Sequence, residues 1–379
     1  MDAIAVGGGL AGTAFALELA RQGAKVTILE RTSGLHHKVC GDFLSGEAKT
    51  LLRHFGIDPH ALGGTTIRTL SLADRTSEAR APLPFEAVGL SRCRLDEALL
   101  ETAAARGITV IRGATVEGIE DDGSGVIVRT SNGFHRARTA ALASGKHNIR
   151  GIARPLGPMS GFKMHLKPTP AARATLDGLV RLVAFRGGYA GLCLVEDGTL
   201  SVAWNIQSSV LNGMGASWKD QSDTIAGASP LFGDLVSGAE PLWSKPLAVS
   251  GLPYGFLRTT PTSPAVYPVG DQLAVIPSFA GDGTSLALAS GIAAARAVIA
   301  GESACAFQKR LVAGHRTQFR LVGALDRVIA SPLLRRVGIS VAQRVPQMVT
   351  ALAGATRLRG LTDLITADQV PALRPARQT

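Results

Sequence analysis

The sequence predicts an α/β fold in which a parallel-sheet unit carries a β-rich insertion and is followed by helices. Three observations support this fold class. A short apolar strand, a glycine turn, a helix and a second strand follow one another within the first 30 residues, which is the order of a parallel βαβ unit. Residues 155–255 change to short strand-like runs. Residues 303–355 return to apolar stripes at helical spacing, with arginines between them.

The first unit is predicted from short elements that end at turn residues. A glycine follows each predicted helix, as is common where a helix ends. A hairpin turns at Asp121-Asp122-Gly123. The predicted elements are strands at residues 2–6, 24–30, 108–112, 115–120, 125–130 and 140–143, and helices at residues 13–22, 47–55 and 95–106.

The insertion is predicted to be a sheet, with Asp197-Gly198 as the turn between its last two strands. A strand at 265–269 and an Ala-rich helix at 285–299 then return to the first unit. The predicted strands of the insertion are residues 161–166, 180–185, 189–195 and 200–206. The resulting domains are 1–154 with 256–302, the β-rich insertion 155–255, a helical region 303–360 and a flexible tail 361–379.

Composition fits a globular protein with two or three domains, because 46% of the 379 residues are hydrophobic. The four cysteines are far apart and form no CxxC pair, so we expect neither a disulfide framework nor a metal site. The chain shows no secretory signal pattern and no run of roughly 18 apolar residues. We therefore expect a reduced, cytoplasmic protein.

Positive charge is concentrated at the C-terminus. Residues 306–379 contain 12 Lys and Arg but only 3 Asp and Glu, whereas the whole chain has a net charge of +11. Such a region favours an acidic carrier protein or a membrane surface as partner. A solvated basic face is the simpler explanation. Nucleic acid is not expected, since no aromatic stacking platform accompanies the arginines.

The glycine turn has the GxGxxG spacing, at Gly7, Gly9 and Gly12. It follows a strand and opens a helix, which is the context of a Rossmann-type nucleotide site. The helix N-terminus then faces a diphosphate, and Glu30 at the end of the second strand accepts hydrogen bonds from a ribose. The expected contacts also include Leu10, Ala11 and Arg31.

Two segments far from the glycine turn in the sequence indicate which nucleotide the turn binds. Ser91-Arg92-Cys93-Arg94-Leu95-Asp96 opens a helix, and Val269-Gly270-Asp271 is followed by Gly281-Asp282-Gly283 and a long helix. With these motifs the chain resembles the flavoprotein family of aromatic hydroxylases and geranylgeranyl reductases, which share the p-hydroxybenzoate hydroxylase fold. The resemblance covers about residues 1–150 and 260–300, and it implies a Rossmann-type FAD-binding domain with an inserted β-sheet substrate domain and C-terminal helices.

The resemblance also implies contacts to FAD. Arg92 matches an arginine that reaches the cofactor, and Asp271 matches the aspartate that contacts the ribityl chain and diphosphate. The turn that approaches the flavin ring matches Gly281 to Thr284. The expected FAD contacts from these motifs are Arg92, Val116 (to adenine), Gly270, Asp271, Gly281, Gly283 and Thr284.

The loop at residues 36–45 is similar to the (K)xCG(D/E)xxS segment of the geranylgeranyl-reductase-like branch, which runs beside the flavin ring. Gly41 would then let the backbone come close to the ring. Lys38 would bind diphosphate or stabilise negative charge on reduced flavin. Cys40 would line the substrate side or be a small buried hydrophobe. For His36 and His37 we expect only a solvated loop.

One motif departs from the family. Aromatic hydroxylases carry a DGxxSxxR segment that handles both FAD and NAD(P)H, and Ser144 stands here in place of its aspartate. This puts direct reduction by NAD(P)H in doubt. The WxWxIP signature of flavin-dependent halogenases is absent. Tyr189 and Trp204 in the insertion would face a substrate or, as the commoner case, pack in the core.

The function that the resemblance implies is that of an FAD-dependent monooxygenase. Such an enzyme would hydroxylate an electron-rich aromatic or polyketide-like substrate, free or carrier-bound, through a flavin C4a-hydroperoxide, with NAD(P)H as a possible reductant and with Lys38 and Cys40 as candidate residues near the flavin. A flavin-dependent C=C reductase of the geranylgeranyl type is the alternative. A flavoprotein that only docks a partner is a third possibility.

Overall fold

The computed structural model describes residues 2–357 and 360, apart from residues 76 and 216. The helices are α1 (Leu10–Ala20), α2 (Gly46–His54), α3 (Arg92–Ala105), α4 (Pro170–Leu176), α5 (Ser208–Leu211), α6 (Trp218–Ala228), α7 (Pro230–Val236), α8 (Gly283–Ile299), α9 (Ala304–Ala330), α10 (Pro332–Arg344) and α11 (Pro346–Ala355). The strands are β1 (Ala3–Val6), β2 (Val26–Glu30), β3 (Phe43–Leu44), β4 (Thr65–Asp74), β5 (Ser77–Gly89), β6 (Thr109–Arg112), β7 (Val116–Asp121), β8 (Val126–Thr130), β9 (Gly133–Ala137), β10 (Thr139–Leu142), β11 (Met159–Lys167), β12 (Leu179–Phe185), β13 (Gly188–Leu194), β14 (Leu200–Gln207), β15 (Glu240–Pro241), β16 (Leu247–Leu252), β17 (Phe256–Leu257), β18 (Val266–Pro268) and β19 (Ala274–Val275).

The first sheet is parallel and has the strand order β18-β10-β1-β2-β6. β1 and β2 are buried along their whole length, as expected for strands covered on both faces. The predicted βαβ unit is therefore present, and β18 returns from the far end of the chain to complete the sheet. A three-stranded antiparallel sheet, β7-β8-β9, contains the predicted hairpin.

Two helices cross closely beside the parallel sheet. α1 is apolar and almost entirely buried, and it packs against the Ala-rich α8. At the crossing, a Cβ atom on Gly291 would overlap the carbonyl oxygen of Ala11. This close approach fixes the N-terminal end of α1, where the glycine turn lies, against the middle of α8.

The second sheet is larger than predicted. Its main order is β15-β11-β14-β13-β12-β4-β5-β3, and β16 pairs with β11 on the side opposite β14, next to β15. The sequence prediction confined this sheet to residues 155–255, but β4 and β5 join it, with β4 parallel to β12. Pro82 and Pro84 argue against a central strand. They are accommodated because β3 pairs only with the end of β5, at residues 88–89.

The two faces of the second sheet have different partners. Phe162, Met164 and Leu166 of β11 belong to a core that includes α6 and α7. Trp204 is fully buried there and stacks on Phe162 at 5.4 Å between ring centroids, so core packing is confirmed for this residue. The alternate residues of β11 turn towards the first unit, where Lys163 and His165 meet Asp42.

The predicted C-terminal helices are present as α9, α10 and α11. α10 and α11 cover β5, where Ile339, Ala342 and Val349 pack against Ala79 and Ala81. Among the described residues, no helix is long and apolar enough to cross a membrane. The tail predicted at 361–379 lies outside the described residues.

Candidate FAD and active site

The glycine turn has a geometry that only glycine permits. Gly7 has a φ of 113°, which L side chains rarely adopt. A Cβ on Gly12 would overlap the carbonyl oxygen of Gly7. Gly9 caps α1 without any side-chain hydrogen bond, so the first N–H groups of α1 remain available to an anion.

Two cations lie over this turn. The position that a Cβ on Gly9 would occupy is 3.4 Å from Lys38 Nζ and 3.7 Å from Arg92 Nη2. Asp96 holds both, at 2.7 Å from Lys38 and 2.8 Å from Arg92. Although burial opposes its charge, Arg92 and Lys38 lower the pKa of Asp96 to about 2. Two cations and a free helix N-terminus around an open glycine fit a diphosphate.

Glu30 lies on the other side of the turn. Its carboxylate accepts hydrogen bonds from the N–H groups of Gly8, at 2.8 Å, and Thr32, at 2.9 Å. Burial raises the pKa of Glu30, but Lys38 and these two N–H groups outweigh it and hold the pKa below its usual value. A fixed carboxylate at this position suits a ribose hydroxyl pair.

The Gly270-Asp271 segment also meets the turn. Gly270 has a φ of 57° and donates its N–H to Ser290 Oγ of α8. A Cβ on Gly270 would lie 3.0 Å from the Cβ of Ala11, so the predicted residues at the two ends of the chain are adjacent. Arg154 donates to the carbonyl oxygen of Asp271 at 3.0 Å.

Lys146 is a further cation at this place, and no motif in the sequence marks it. Its Nζ donates to the carbonyl oxygen of Val39 at 2.5 Å. Burial lowers its pKa, while Asp271 and Cys40 favour its charge. Its position in the sequence could have identified it as a site residue, because Lys146 lies two residues after Ser144 in the segment that departs from the family. Ser144 itself donates to the carbonyl oxygen of His147 at 2.7 Å.

The turn Gly281 to Thr284 leads into α8. Gly281 has a φ of 72° and lies against the ring of Phe43. Asp282 is 1% exposed and lies 2.7 Å from Arg357 Nη1. Burial raises the pKa of Asp282 to about 7, although Arg357 opposes this shift. The turn is thus tied to the end of the C-terminal helices.

Asp42 connects the predicted flavin loop with the second sheet. It has a φ of 56°, unusual for a residue other than glycine, and is fully buried. One of its oxygens lies 2.5 Å from Lys163 Nζ and 2.9 Å from both His165 Nε2 and Ser201 Oγ, and the other accepts the N–H of Arg92 at 3.1 Å. Despite burial, Lys163 and His165 hold the pKa of Asp42 far below its usual range.

The expectation of a solvated loop is wrong for His37. Its ring lies 4.9 Å from that of His165 and 4.7 Å from that of Trp243. Burial, together with the nearby Lys163, lowers its pKa to about 4. Lys163 and His165 were missed as site residues, although two polar residues at alternate positions of an otherwise apolar strand indicate a polar sheet face.

A hydroxyl network lies on the same sheet face, beside the turn that precedes α8. Asn205 donates to Tyr189 Oη and to Ser278 Oγ, both at 3.2 Å, and Ser278 is hydrogen-bonded to Tyr254. Burial raises the pKa of Tyr189 to about 12 and that of Tyr254 well above its usual value. Both phenols therefore stay protonated near neutral pH.

The remaining predicted residues lie at the edges of this arrangement. Gly41 accepts a hydrogen bond from Cys193 at 3.5 Å through its carbonyl oxygen, and Cys40 is half-buried. Arg31 is exposed and lies 3.0 Å from His147. Val116 starts β7 and packs on the parallel sheet. The roles predicted for these residues remain predictions.

Comparisons with known proteins agree with the cofactor that this geometry fits. The family described as an FAD binding domain matches residues 1–140. FixC of Escherichia coli (strain K12) is 29% identical over 187 residues, which is 45% of this chain and 41% of FixC. The match thus spans about two fifths of the length of that relative. A tryptophan 2-halogenase of Chondromyces crocatus is 23% identical over 350 residues, 85% of this chain and 66% of the halogenase.

A solved structure extends the similarity of fold to nearly the whole chain. The flavin-dependent brominase Bmp2 superimposes with a TM-score of 0.75 at 16% identity, covering 97% of each chain. At this identity the likeness concerns the fold alone. Together with the match to the FAD binding domain and the geometry of the glycine turn, it leads to one conclusion. The chain has the p-hydroxybenzoate hydroxylase-like fold of FAD-dependent oxidoreductases, and its residues 1–140 match the FAD binding domain.

Proposed function

We propose that this protein is an FAD-dependent monooxygenase that uses O2 to hydroxylate an electron-rich aromatic or polyketide-like substrate. The observation that carries the proposal is the hydroxyl network of Tyr189, Asn205, Ser278 and Tyr254, which lies beside the turn that precedes α8. Phenols that stay protonated can donate to and accept from a phenol or carbonyl group of a substrate. They would hold such a ring in place rather than remove its proton.

In this proposal the first unit holds FAD. The N-terminus of α1, Lys38 and Arg92 bind the diphosphate, Glu30 binds the ribose, Asp271 lies along the ribityl chain, and Gly281 to Thr284 face the flavin ring. When bound, FAD supplies the two-electron chemistry with O2. The protein supplies position and electrostatics. Lys146, which donates to Val39 in the loop expected beside the flavin ring, would add positive charge where a reduced flavin is anionic.

The proposed reaction consumes one O2 and two electrons. A C–H bond of the substrate becomes C–OH, and the second oxygen atom leaves as water after taking up two protons. NAD(P)H is the proposed electron source, either directly or through a separate reductase, since Ser144 replaces the aspartate expected of direct NAD(P)H handling. Cys40 remains a candidate for lining the substrate side.

The experiment is turnover of phenolic and polyketide substrates by the FAD-loaded protein, with ¹⁸O2 or without oxygen. Electrons come from NAD(P)H, or from one equivalent of dithionite that reduces the flavin before oxygen is admitted. We expect a product that carries one ¹⁸O atom and that forms only with O2. An unlabelled product that forms equally well without O2 would reject the proposal. A reduced C=C bond in that product would support the geranylgeranyl-type alternative instead. Halide in the assay separates hydroxylation from halogenation.

The network gives a matched pair of variants. Tyr254→Phe removes a network hydroxyl, whereas Tyr267→Phe removes a hydroxyl that donates to the carbonyl oxygen of Glu302. We expect Tyr254→Phe to lower the yield of hydroxylated product per reductant consumed by about tenfold and to release H2O2 instead, since one lost hydrogen bond is worth roughly 1–1.5 kcal/mol. Tyr267→Phe should leave this yield unchanged. Equal yields from both variants would contradict the role of the network.

A further inference from the structure

The C-terminal helix α10 exposes a continuous row of aliphatic side chains. Leu333, Val337, Val341 and Val345 follow one another at intervals of four residues, so they lie along one side of the helix and its C-terminal end. Leu334 lies next to them. These five residues, here called the aliphatic stripe, are between 36% and 71% exposed. A single exposed aliphatic residue is common on a protein surface, but five that lie together along one short helix need an explanation.

The orientation of α10 is fixed by its opposite side. Ile339 and Ala342 are buried against Ala79 and Ala81 of β5. Arg335 forms an ion pair with the buried Asp74 at 3.0 Å. The helix therefore cannot rotate to bury the aliphatic stripe without exposing these contacts. The stripe faces outwards in the folded protein.

The charged residues of the α10–α11 segment have one sign. The sequence contains no Asp or Glu between residues 331 and 357. Arg336 and Arg344 are exposed, and they form no ion pair with any residue that the structure describes. At 100° per residue, Arg344 projects in a direction between those of Leu333 and Val337, while Arg336 lies at the flank. Aliphatic residues flanked by unpaired arginines fit a surface that is both apolar and anionic.

The length of α10 decides how it would meet a bilayer. Its 13 residues span about 20 Å along the axis, against a hydrocarbon thickness of about 30 Å. The helix is too short to cross but suits a position in the plane of the interface. There, aliphatic side chains enter the acyl boundary and arginines meet lipid phosphates.

We propose that α10 docks the protein onto an anionic lipid surface. This rests on the outer face of α10 and is independent of the reaction at the flavin. A second copy of the chain is a poorer occupant, because a two-fold contact would bring Arg336 and Arg344 of both copies together without a carboxylate from α10. An acidic protein is also a poorer occupant, because the stripe has none of the aromatic residues that concentrate in protein interfaces.

The test is flotation of the full-length, FAD-loaded protein with vesicles of phosphatidylcholine alone and with vesicles that also contain phosphatidylglycerol. We expect the protein to float with the anionic vesicles at low salt and to be released by salt. The double variant Val337→Gln, Val341→Gln removes apolar contact without changing charge. The double variant Arg336→Gln, Arg344→Gln removes charge without changing the stripe. Each should lower partitioning about tenfold or more.

The matched control is Phe134→Gln, which removes a side chain that is 69% exposed on β9. It should partition like the unchanged protein, and all variants should retain their flavin absorbance. Equal flotation of the stripe variant and the unchanged protein would overturn the proposal, as would no flotation of the unchanged protein. A dimer in solution that the stripe variant converts to a monomer would assign this face to a second copy.

Discussion

At the residue scale, the most constrained group is Asp42. Its carboxylate compensates the charge of Lys163, which is completely buried and has no other ion-pair partner among the described residues. Replacing Asp42 with Asn leaves that ammonium group without a counter-charge. We expect the free energy of unfolding to fall by about 3–5 kcal/mol, as is typical when one partner of a buried pair is removed. Urea denaturation at pH 7 measures the loss.

An exposed pair of the same chemistry supplies the control for this prediction. Lys219 and Asp223 lie 2.6 Å apart on α6, with their side chains 82% and 63% exposed. Asp223→Asn should cost no more than about 0.5 kcal/mol, because water screens such a pair. If both Asn variants lose the same stability, Asp42 does not act as a buried counter-ion.

Residue-scale prediction from the sequence succeeded where a local motif carries the information. The glycine spacing predicted the turn, and the distance along the chain to Glu30 predicted the carboxylate. In the structure the two are hydrogen-bonded to each other. Lys163 and His165 could not be paired with Asp42 in this way, because more than 120 residues separate them. Their contact depends on how the second sheet packs on the first unit, and no local sequence pattern predicts this packing.

At the element scale, the position of α1 depends on Gly12. Its Cα faces the carbonyl oxygen of Gly7, where a methyl group would overlap backbone atoms and approach Ala143. Gly12→Ala should push the start of α1 away from β1, with an overpacking cost of about 1–3 kcal/mol. The purified variant should retain little FAD, as measured by the ratio of absorbance at 450 and 280 nm.

Another glycine inside a helix separates this effect from helix propensity. Gly314 lies within α9, and nothing lies within 4 Å of a Cβ built there. Gly314→Ala should leave FAD content unchanged and raise stability by about 0.5–1 kcal/mol, because alanine is the better helix former. Full FAD content in Gly12→Ala would show that the turn tolerates a side chain.

Element-scale prediction worked for strands with strong apolar patterns and failed for β4 and β5. The strands between residues 159 and 207 were predicted within two residues of their ends. β5 contains Pro82, Pro84 and charged residues at its start, so its pattern resembles a loop. It forms a strand because β4 on one side and the helices α10 and α11 on its face supply contacts from distant parts of the chain.

At the scale of the whole molecule, Arg357 joins three regions. It follows α11, donates to the carbonyl oxygen of Ala280, pairs with Asp282 at the start of α8 and lies 5.1 Å above the ring of Phe85 on β5. The C-terminal helices, the proposed flavin turn and the second sheet thus meet at one buried guanidinium. Because α10 precedes α11 directly, the proposed lipid-binding face is connected to this turn through α11 and Arg357.

This junction predicts a pH dependence of global stability. The pKa of Asp282 is raised from 3.8 to about 7 in the folded protein, so between these values the folded state binds more protons than the unfolded state. Stability contributed by protonated Asp282 is present at low pH and is lost as pH rises towards 7. Between pH 5 and 7 the loss should be roughly 2–3 kcal/mol. Asp282→Asn cannot ionise and should lack it.

The measurement is urea unfolding of the FAD-free protein and of Asp282→Asn at pH values from 5 to 8. The stability of the unchanged protein relative to the variant should decline with pH and level off above about 7. Arg357→Gln removes the cation that opposes the shift, so it should move this decline to higher pH. A difference that stays constant from pH 5 to 8 would mean that Asp282 is already ionised at pH 5. Arg357 would then fully compensate its burial, and the junction would be an ordinary buried ion pair.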